Sequence, residues 1–363
     1  MVLFNKTIRK IHLWLGITCG LIASFSGLTG SLYVWQPEIT AALNPKLLKV
    51  ENNENIKEET LLKSAVSLIK THNDSIDKII LPYREQQTTA IQFKNGKKCY
   101  YHPVTTEFLG EKSASISFFE NLLNLHRTLG IPKMGKYIIG TSAIIFFLML
   151  ITSGVYIWWN AYANNLKQGL KLKWKAKKKK RNYDLHKVFG IYFFIPLIMI
   201  AFSGSYFTYS ASYKKALGIF DRPNNNLTAL QKNNSKDFST LNETLFNSNE
   251  DYALRAIYFP KDGTDNYRLR YIKNRSIKAG YRKTKEIEIT KNGLRTTLSD
   301  FKSDSNSNRI AAQFYPIHIG EIAGIFGRVL VFISGFVPLV LFITGFRIFL
   351  LKKNRGLKRK CVG

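Results

Sequence analysis

Histidine is the residue type whose positions in this chain suggest chemistry, because imidazole is the commonest metal ligand in proteins. Four of the six histidines stand where a polar segment meets a long apolar run, and these are His12, His126, His186 and His318. The first three of them are each followed, four residues on, by a glycine, which lets a helix or a flat ligand approach closely. The other two, His72 and His102, lie among polar residues and are interpreted as ordinary surface residues.

Four apolar runs are long enough to cross a bilayer, which takes about 20 residues. The first run exceeds the apolar core of a signal peptide, and no small-residue cleavage site follows it. The runs extend from Leu13 to Trp35, from Tyr137 to Trp159, from Val188 to about Ser210, and from Val329 to Phe346. The sequence therefore predicts a multi-pass membrane protein.

The distribution of charge predicts the orientation of these helices. The 363 residues include 54 Lys and Arg against 24 Asp and Glu, giving a formal net charge of +30. More than half of that excess lies in the N-terminal segment, the short segment between the second and third runs, and the C-terminal tail. Short basic segments stay on the cytoplasmic side. We therefore expect both termini and the short loop to be cytoplasmic, and the charge gives no reason to infer nucleic-acid binding.

The predicted fold class is a mainly α membrane protein with four transmembrane helices in a duplicated arrangement and two extracytoplasmic α+β domains. Helical periodicity over 56–70 and near Leu241, and strand-like runs such as IDKIILP and NYRLRYIKN, place the two domains between helices. The predicted segments are 1–36 (N-terminus and first helix), 37–118 (first outer domain), 119–160 (outer histidine segment and second helix), 161–185 (basic cytoplasmic loop), 186–210 (third helix), 211–313 (second outer domain), 314–350 (outer histidine segment and fourth helix) and 351–363 (basic cytoplasmic tail).

A pair of small residues lies downstream of each of the four histidines. The pairs are Ser26-Gly27, Ser153-Gly154, Ser203-Gly204 and Thr344-Gly345. The intervals from histidine to glycine are 15, 28, 18 and 27 residues, which relates the first helix to the third and the second to the fourth. This regularity indicates a duplicated unit of helix, outer domain and helix.

Depth in the membrane limits which histidines meet. His12 and His186 enter from the cytoplasmic side and His126 and His318 from the outer side, roughly 30 Å away. We call them the inner pair and the outer pair. Two imidazoles on facing helices, with no cysteine or carboxylate completing a tetrahedral set, suit the axial positions of a b-type haem better than zinc. The three cysteines form no CxxCH motif, which excludes covalently attached c-type haem.

Cationic residues near the histidines could pair with haem propionates. The candidates are Arg127, Arg328 and Lys187. The alternative interpretation is that the histidines are interfacial residues and the glycines serve helix packing alone.

Motifs along nearly the whole chain resemble one family. They read HLWLG…SGLTGSLYVWQPE, LHRTLG…SGVYIWW, DLHKVFGIY…SG and HIGEIAGIFGR…ITGF. The chain resembles the bacterial PepSY-associated transmembrane-helix proteins, iron-regulated membrane proteins that include haem-containing inner-membrane reductases of ferric siderophores. This resemblance implies two haem b groups, one on His12 and His186 and one on His126 and His318. It also implies that the outer domains are PepSY-like.

The expected function is a di-haem electron-transfer protein of the bacterial inner membrane, an oxidoreductase that reduces Fe(III) chelates on the periplasmic side for iron acquisition. The chain contains no GxGxxG or GxxxxGK[ST] motif, so quinol or a separate reductase would donate the electrons. Two alternatives remain open. One is a haem cytochrome subunit that passes electrons to a partner protein. The other is a non-enzymatic PepSY membrane anchor that binds an extracytoplasmic partner.

Overall fold

The computed structural model describes residues 2–51, 56–72, 75–221, 251–261, 266–290 and 295–360. The chain forms two compact units. The membrane unit comprises residues 1–34, 120–213 and 314–363, and the sheet unit comprises residues 35–119 and 214–313.

The helices are numbered in chain order. They are α1 (Val2–Val34), α2 (Gln36–Leu43), α3 (Pro45–Leu48), α4 (Glu58–His72), α5 (Ala114–Thr128), α6 (Gly135–Ile145), α7 (Thr152–Tyr162), α8 (Leu166–Leu170), α9 (Lys178–Tyr192), α10 (Phe194–Leu217), α11 (Asn306–Ala311), α12 (Phe314–His318) and α13 (Gly324–Lys360). A π-helical segment, Phe146–Ile151, joins α6 to α7, and short 3₁₀ segments cover Gly218–Phe220 and Glu321–Ala323.

Four helical stretches in the described residues are long and apolar enough to cross a membrane, which confirms the prediction of a multi-pass membrane protein. They are Phe4–Val34, Gly135–Tyr162, Phe194–Phe220 and Glu321–Lys352. The first and last of these approach closely at Gly27, where a Cβ atom would lie 2.4 Å from the carbonyl oxygen of Gly335. Glycine at this crossing allows the two backbones to touch.

The third membrane helix departs from its predicted course. The sequence predicts one helix over 186–210, whereas the structure ends α9 at Tyr192 and begins α10 at Phe194, with Phe193 at φ −104° and ψ 5° between them. Pro196 explains the break, because it has no N–H to donate to the carbonyl of Tyr192 and its ring would clash with that carbonyl. Proline is tolerated in the first turn of α10. His186 therefore lies on a helix of its own, ahead of the apolar span.

The eight strands are β1 (Ile76–Ile80), β2 (Thr89–Phe93), β3 (Lys98–Tyr101), β4 (Phe108–Glu111), β5 (Ala253–Tyr258), β6 (Asn266–Ile272), β7 (Thr284–Thr290) and β8 (Arg295–Asp300). They form one antiparallel sheet in the order β4-β3-β2-β1-β5-β6-β7-β8. The sequence predicts two separate α+β domains, but β1 pairs with β5, so strands from both chain segments share this sheet. The helical stretch expected near Leu241 lies outside the described residues.

Helix α4 supplies the apolar layer on one face of the sheet. Its buried side chains Leu61, Ala65 and Leu68 belong to the same core as Ile79 of β1 and Ile257 of β5. Ile79 and Ile257 are opposite each other in the β1–β5 ladder, and both are fully buried. The α4 periodicity seen in the sequence thus reflects burial against strands from both halves of the sheet.

A single carboxylate connects α4 to the junction between β1 and β5, where the two halves of the sheet meet. Glu58, in the first turn of α4, accepts hydrogen bonds from Arg275 Nη2 at 2.7 Å and from the backbone N–H of Leu254 at 3.0 Å. Arg275 Nη1 donates to the carbonyl of Pro82 at 2.6 Å. Nearby, burial lowers the pKa of the Arg255 guanidinium to about 9. The network satisfies backbone groups where the two halves of the sheet meet.

We expect Glu58→Ala to weaken this junction by about 1–2 kcal/mol, because it leaves Arg275 and the Leu254 N–H without their acceptor. The matched control is Glu59→Ala, which removes only an exposed ion pair with Lys63 and should leave the junction unchanged. Hydrogen–deuterium exchange of peptides that cover β5 measures how far each substitution weakens the junction. Equal protection of β5 in the two variants would contradict the proposed role of Glu58.

Candidate functional site

Four histidines form two pairs in the membrane unit. The rings of His12 on α1 and His186 on α9 have centroids 6.3 Å apart and planes at 90°. The rings of His126 on α5 and His318 on α12 have centroids 6.0 Å apart and planes at 44°. The structure therefore brings together the two members of the inner pair and the two members of the outer pair.

Each imidazole docks on one face of another helix. His12 Nδ1 lies 3.2 Å from the carbonyl oxygen of Leu150 and 2.9 Å from Ser153 Oγ, and a Cβ on Gly154 would lie 3.1 Å from His12 Cε1. The docking set is thus a carbonyl at position i, a hydroxyl at i+3 and a glycine at i+4. The other three sets are His126 on Ser26, Thr29 and Gly30; His186 on Leu341, Thr344 and Gly345; and His318 on Ile200, Ser203 and Gly204.

The hydroxyl groups determine which ring nitrogen carries the proton. Ser153 Oγ donates its hydrogen to the carbonyl of Leu150 at 2.9 Å, and Ser203 Oγ donates to the carbonyl of Met199 at 2.6 Å. Thr29 and Thr344 likewise donate to carbonyls of their own helices. A hydroxyl used in this way can only accept from the imidazole, so Nδ1 must be the N–H donor.

The Nε2 atoms are consequently the nitrogens with a lone pair. Within the described part of the chain, none of the four Nε2 atoms has a hydrogen-bond partner. Anchoring one imidazole nitrogen and presenting the other is the usual arrangement of a metal-ligating histidine. The four side chains are therefore oriented as ligands.

The glycine that receives His126 is not the one from which the interval on α1 was counted. That interval ended at Ser26-Gly27, whereas His126 rests on Thr29 and Gly30, and Gly27 packs against Gly335. Both pairs occur in the run SFSGLTG, and their composition does not distinguish them. Counted to Gly30, the interval from His12 is 18 residues, and the four intervals become 18, 28, 18 and 27.

A cleft of about 300 Å³ surrounds the inner pair. This volume is in the range of pockets for small organic ligands, and apolar and aromatic side chains such as Phe146, Trp158 and Phe342 line most of it. The π-helical segment Phe146–Ile151 contributes Leu150, whose carbonyl accepts from His12. A π-turn inside a membrane helix often marks a functional site, because it changes which backbone groups face the neighbouring helices.

Glycines of the cleft differ from glycines at helix crossings. A Cβ added to Gly16, Gly20 or Gly190 would come no closer than 3.9 Å to any neighbour, and all three residues line the cleft. A Cβ on Gly27 would instead collide with the backbone of Gly335. Gly16, Gly20 and Gly190 therefore provide a smooth wall for a ligand and are not required for helix packing.

The His-x-x-x-Gly spacing has a different meaning at the outer pair. Gly130, four residues after His126, has φ +71° and follows the end of α5. A left-handed conformation at this position is the usual way to end a helix. The spacing in the sequence thus combines two roles, a ligand-facing glycine after His12 and His186 and a helix terminator after His126.

The predicted cationic partners have varied surroundings. Arg328 on α13 is buried, and its Nη2 donates to the carbonyl of Val34 at 2.7 Å. Lys187 donates to the carbonyl of Gln168 at 2.6 Å. Arg127 is exposed on α5 beside His126. Whether these cations contact a propionate stays a prediction.

Lys187 also forms an ion pair with Asp184, which is fully buried. Burial alone would raise the pKa of the Asp184 carboxyl, but hydrogen bonds and charge from Lys180 and Lys187 hold it below its usual range. The carboxylate is therefore ionised and is shared by Lys180 and Lys187.

The two remaining histidines lie in the sheet unit, apart from these pairs in the chain. His72 Nε2 is 3.3 Å from the hydroxyl of Tyr101, and His102 Nδ1 accepts from the backbone N–H of Thr105 at 3.1 Å. Both are engaged in local hydrogen bonds.

The donor set of each pair, two imidazoles, is one that the iron of a haem would accept. In the described residues, no three or more His, Cys, Asp or Glu side chains converge, so the four ligands of a structural zinc site are not found there. His12 with His186 would hold one haem and His126 with His318 the other, each haem supplying redox chemistry when bound.

Comparison with known proteins identifies the class of the chain. The family model for the PepSY-associated TM region matches residues 9–352. The match covers most of the chain and confirms the family that the sequence motifs indicated. The protein therefore belongs to the family defined by the PepSY-associated TM region. A search of curated proteins found no match.

We expect Gly204→Ala to destabilise the outer pair by about 1–3 kcal/mol, because the added Cβ would lie 2.9 Å from His318 Cε1 in a packed bundle. The control is Gly218→Ala, near the end of the same span, where a Cβ meets nothing within 4 Å. Thermal unfolding of the purified protein in detergent compares the two variants. Unfolding midpoints that fall equally, or not at all, would show that Gly204 is not a docking surface for His318.

Proposed function

We propose that this protein is a di-haem b electron-transfer protein of the bacterial inner membrane that reduces Fe(III) chelates, such as ferric siderophores, on the periplasmic side for iron acquisition. The observation that supports this most is the pair of neighbouring imidazoles at each site, each anchored through Nδ1 with Nε2 left without a hydrogen-bond partner in the described residues. The proposal extends the family membership, which itself establishes a PepSY-associated membrane protein.

Four residues would act as iron ligands, His12 and His186 at the inner site and His126 and His318 at the outer site. When bound, two haem groups would supply reversible one-electron chemistry at two levels of the membrane. The anchoring carbonyls and hydroxyls orient the imidazoles and raise their basicity as ligands. The apolar wall of the inner cleft excludes water from the ligand site.

The orientation follows from charge and from the repeated intervals. Basic residues concentrate in both terminal segments and in the loop before His186, which favours a cytoplasmic location for the inner pair. The intervals of 18, 28, 18 and 27 residues support a duplicated arrangement, and the two halves of the sheet would be the PepSY-like domains. The sheet unit would then face the periplasm.

The chemistry of the acceptor explains why reduction releases iron. Siderophores hold Fe(III) through hard oxygen ligands, and one electron for each iron gives Fe(II), which such ligands bind less tightly. The donor would be quinol or a separate reductase. Residues 214–309 contain 19 basic and 11 acidic side chains, an excess that would attract anionic chelates.

The test of this proposal is haem content. We expect about two b-type haems per chain by pyridine haemochrome analysis, and about one in His12→Ala or His186→Ala, because each variant lacks one of two axial ligands. His72→Ala and His102→Ala are the matched controls and should retain full content. If the wild-type protein contains no haem after expression with ample haem supply, the result would favour the PepSY anchor. If His12→Ala and His186→Ala both keep the full haem content, the result would contradict the assignment of these two histidines as haem ligands.

Electron delivery to an external acceptor is tested at the outer pair. We expect His318→Ala to abolish reduction of an impermeant Fe(III) chelate by proteoliposomes with an internal reductant, while the spectrum of the inner site persists. His102→Ala should reduce the chelate at the wild-type rate. Continued reduction in His318→Ala would contradict the proposed route, and wild-type protein that holds two haems but reduces no chelate would indicate a cytochrome subunit.

A further inference from the structure

The charges around the inner cleft are unbalanced. Its lining includes three cationic side chains and no carboxylate, the cations being Arg9, Lys187 and Lys352. Lys187 already forms an ion pair with Asp184, at 3.2 Å, and Lys180 shares that carboxylate at 3.0 Å. In the described part of the chain, Arg9 and Lys352 have no ion pair or hydrogen bond through their side chains, and both are exposed. Two of the three cations of the cleft, Arg9 and Lys352, are therefore without an acidic partner in the described residues.

The helical positions of Arg9 and Lys352 place them at the same end of the cleft. Arg9 lies three residues before His12, and Lys352 lies seven residues after Gly345, the glycine on which His186 rests. Spacings of three and seven residues keep side chains on one helix face. Arg9 therefore lies on the helix face that carries His12, and Lys352 on the face that carries Gly345. Each lies on the side of the inner site nearer to a chain terminus.

We propose that Arg9 and Lys352 form a carboxylate-binding subsite for the two propionates of the haem held by the inner pair. This inference rests on the proposed function. Two cations without an acidic partner in the described residues match two carboxylates in number, and the cleft lining itself supplies no anion. Each cation donates charge-assisted hydrogen bonds to one propionate and holds the charged edge of the macrocycle at the polar mouth, with its apolar body among the aromatic side chains.

The cations proposed here as propionate partners differ from those predicted from the sequence. Of the three cations predicted to bind propionates, Lys187 is committed to Asp184 and to the carbonyl of Gln168. Arg9 and Lys352 were not among the predicted cations, and the structure adds that both line the cleft.

The experiment compares Arg9→Gln/Lys352→Gln with Lys10→Gln/Arg347→Gln. The control removes the same charge from the same two helices at residues that do not line the cleft. Both are made in a His318→Ala background, which leaves the inner pair as the haem site. The measurement is the rate at which bound haem b passes to an excess of apomyoglobin, repeated after reconstitution with haem dimethyl ester, which has no propionate charge.

We expect haem b to leave the Arg9→Gln/Lys352→Gln protein about tenfold faster than the control, since two charge-assisted contacts are lost, and the dimethyl ester to leave both at one rate. Equal rates with haem b would overturn the subsite. A difference that persists with the ester would also overturn it, because the substitutions would then act on the fold. A chain that binds no haem with all its histidines present would instead overturn the proposed function.

Discussion

Hydrogen bonding of half-buried imidazole is the constraint on which the membrane unit depends. A ring packed between apolar helices must satisfy its Nδ1–H, because an unpaired donor that is shielded from water costs about 1–3 kcal/mol. The backbone carbonyls of a neighbouring helix already bond within that helix, yet each has a second lone pair. A carbonyl at i, a hydroxyl at i+3 and a glycine at i+4 lie on one face and provide an acceptor beside a flat surface. His12 on Leu150, Ser153 and Gly154 is one of four such contacts.

These contacts also determine which helices are neighbours. His12 connects α1 to the π segment and α7, and His126 connects α5 back to α1. His186 connects α9 to α13, and His318 connects α12 to α10. A histidine whose Nε2 is available to a ligand therefore uses its Nδ1 for two purposes. The Nδ1 hydrogen bond fixes the orientation of the ring and holds two helices together. An imidazole ring packs closely only against a small residue. Small residues therefore also occur in the spans at places where no two helix backbones cross.

The sequence predicted the parts of this arrangement that local patterns encode. Apolar length revealed four spans, and alternating side chains revealed strands such as β1 and β6, both confirmed in the structure. It did not reveal that Gly30 and not Gly27 supports His126, because two Ser/Thr-Gly pairs stand three residues apart and only the contact of Gly27 with Gly335 distinguishes them. The pairing of β1 with β5 was likewise hidden, since it joins residues far apart in the chain. Haem ligation stays a prediction.

Positive charge near the chain termini can serve two roles, and the two roles place different requirements on the position of a cation. Orientation in a membrane depends on how many Lys and Arg residues flank a span, and any face of the helix serves. A binding site depends on the face, because only one side of the helix reaches the cleft. Lys10 meets the first requirement alone, whereas Arg9, the preceding residue, lies one helical turn from His12 and lines the cleft. Adjacent residues of the same charge thus differ in what they can contact, and the basic terminal segments contain two residues, Arg9 and Lys352, that line the cleft around the inner pair.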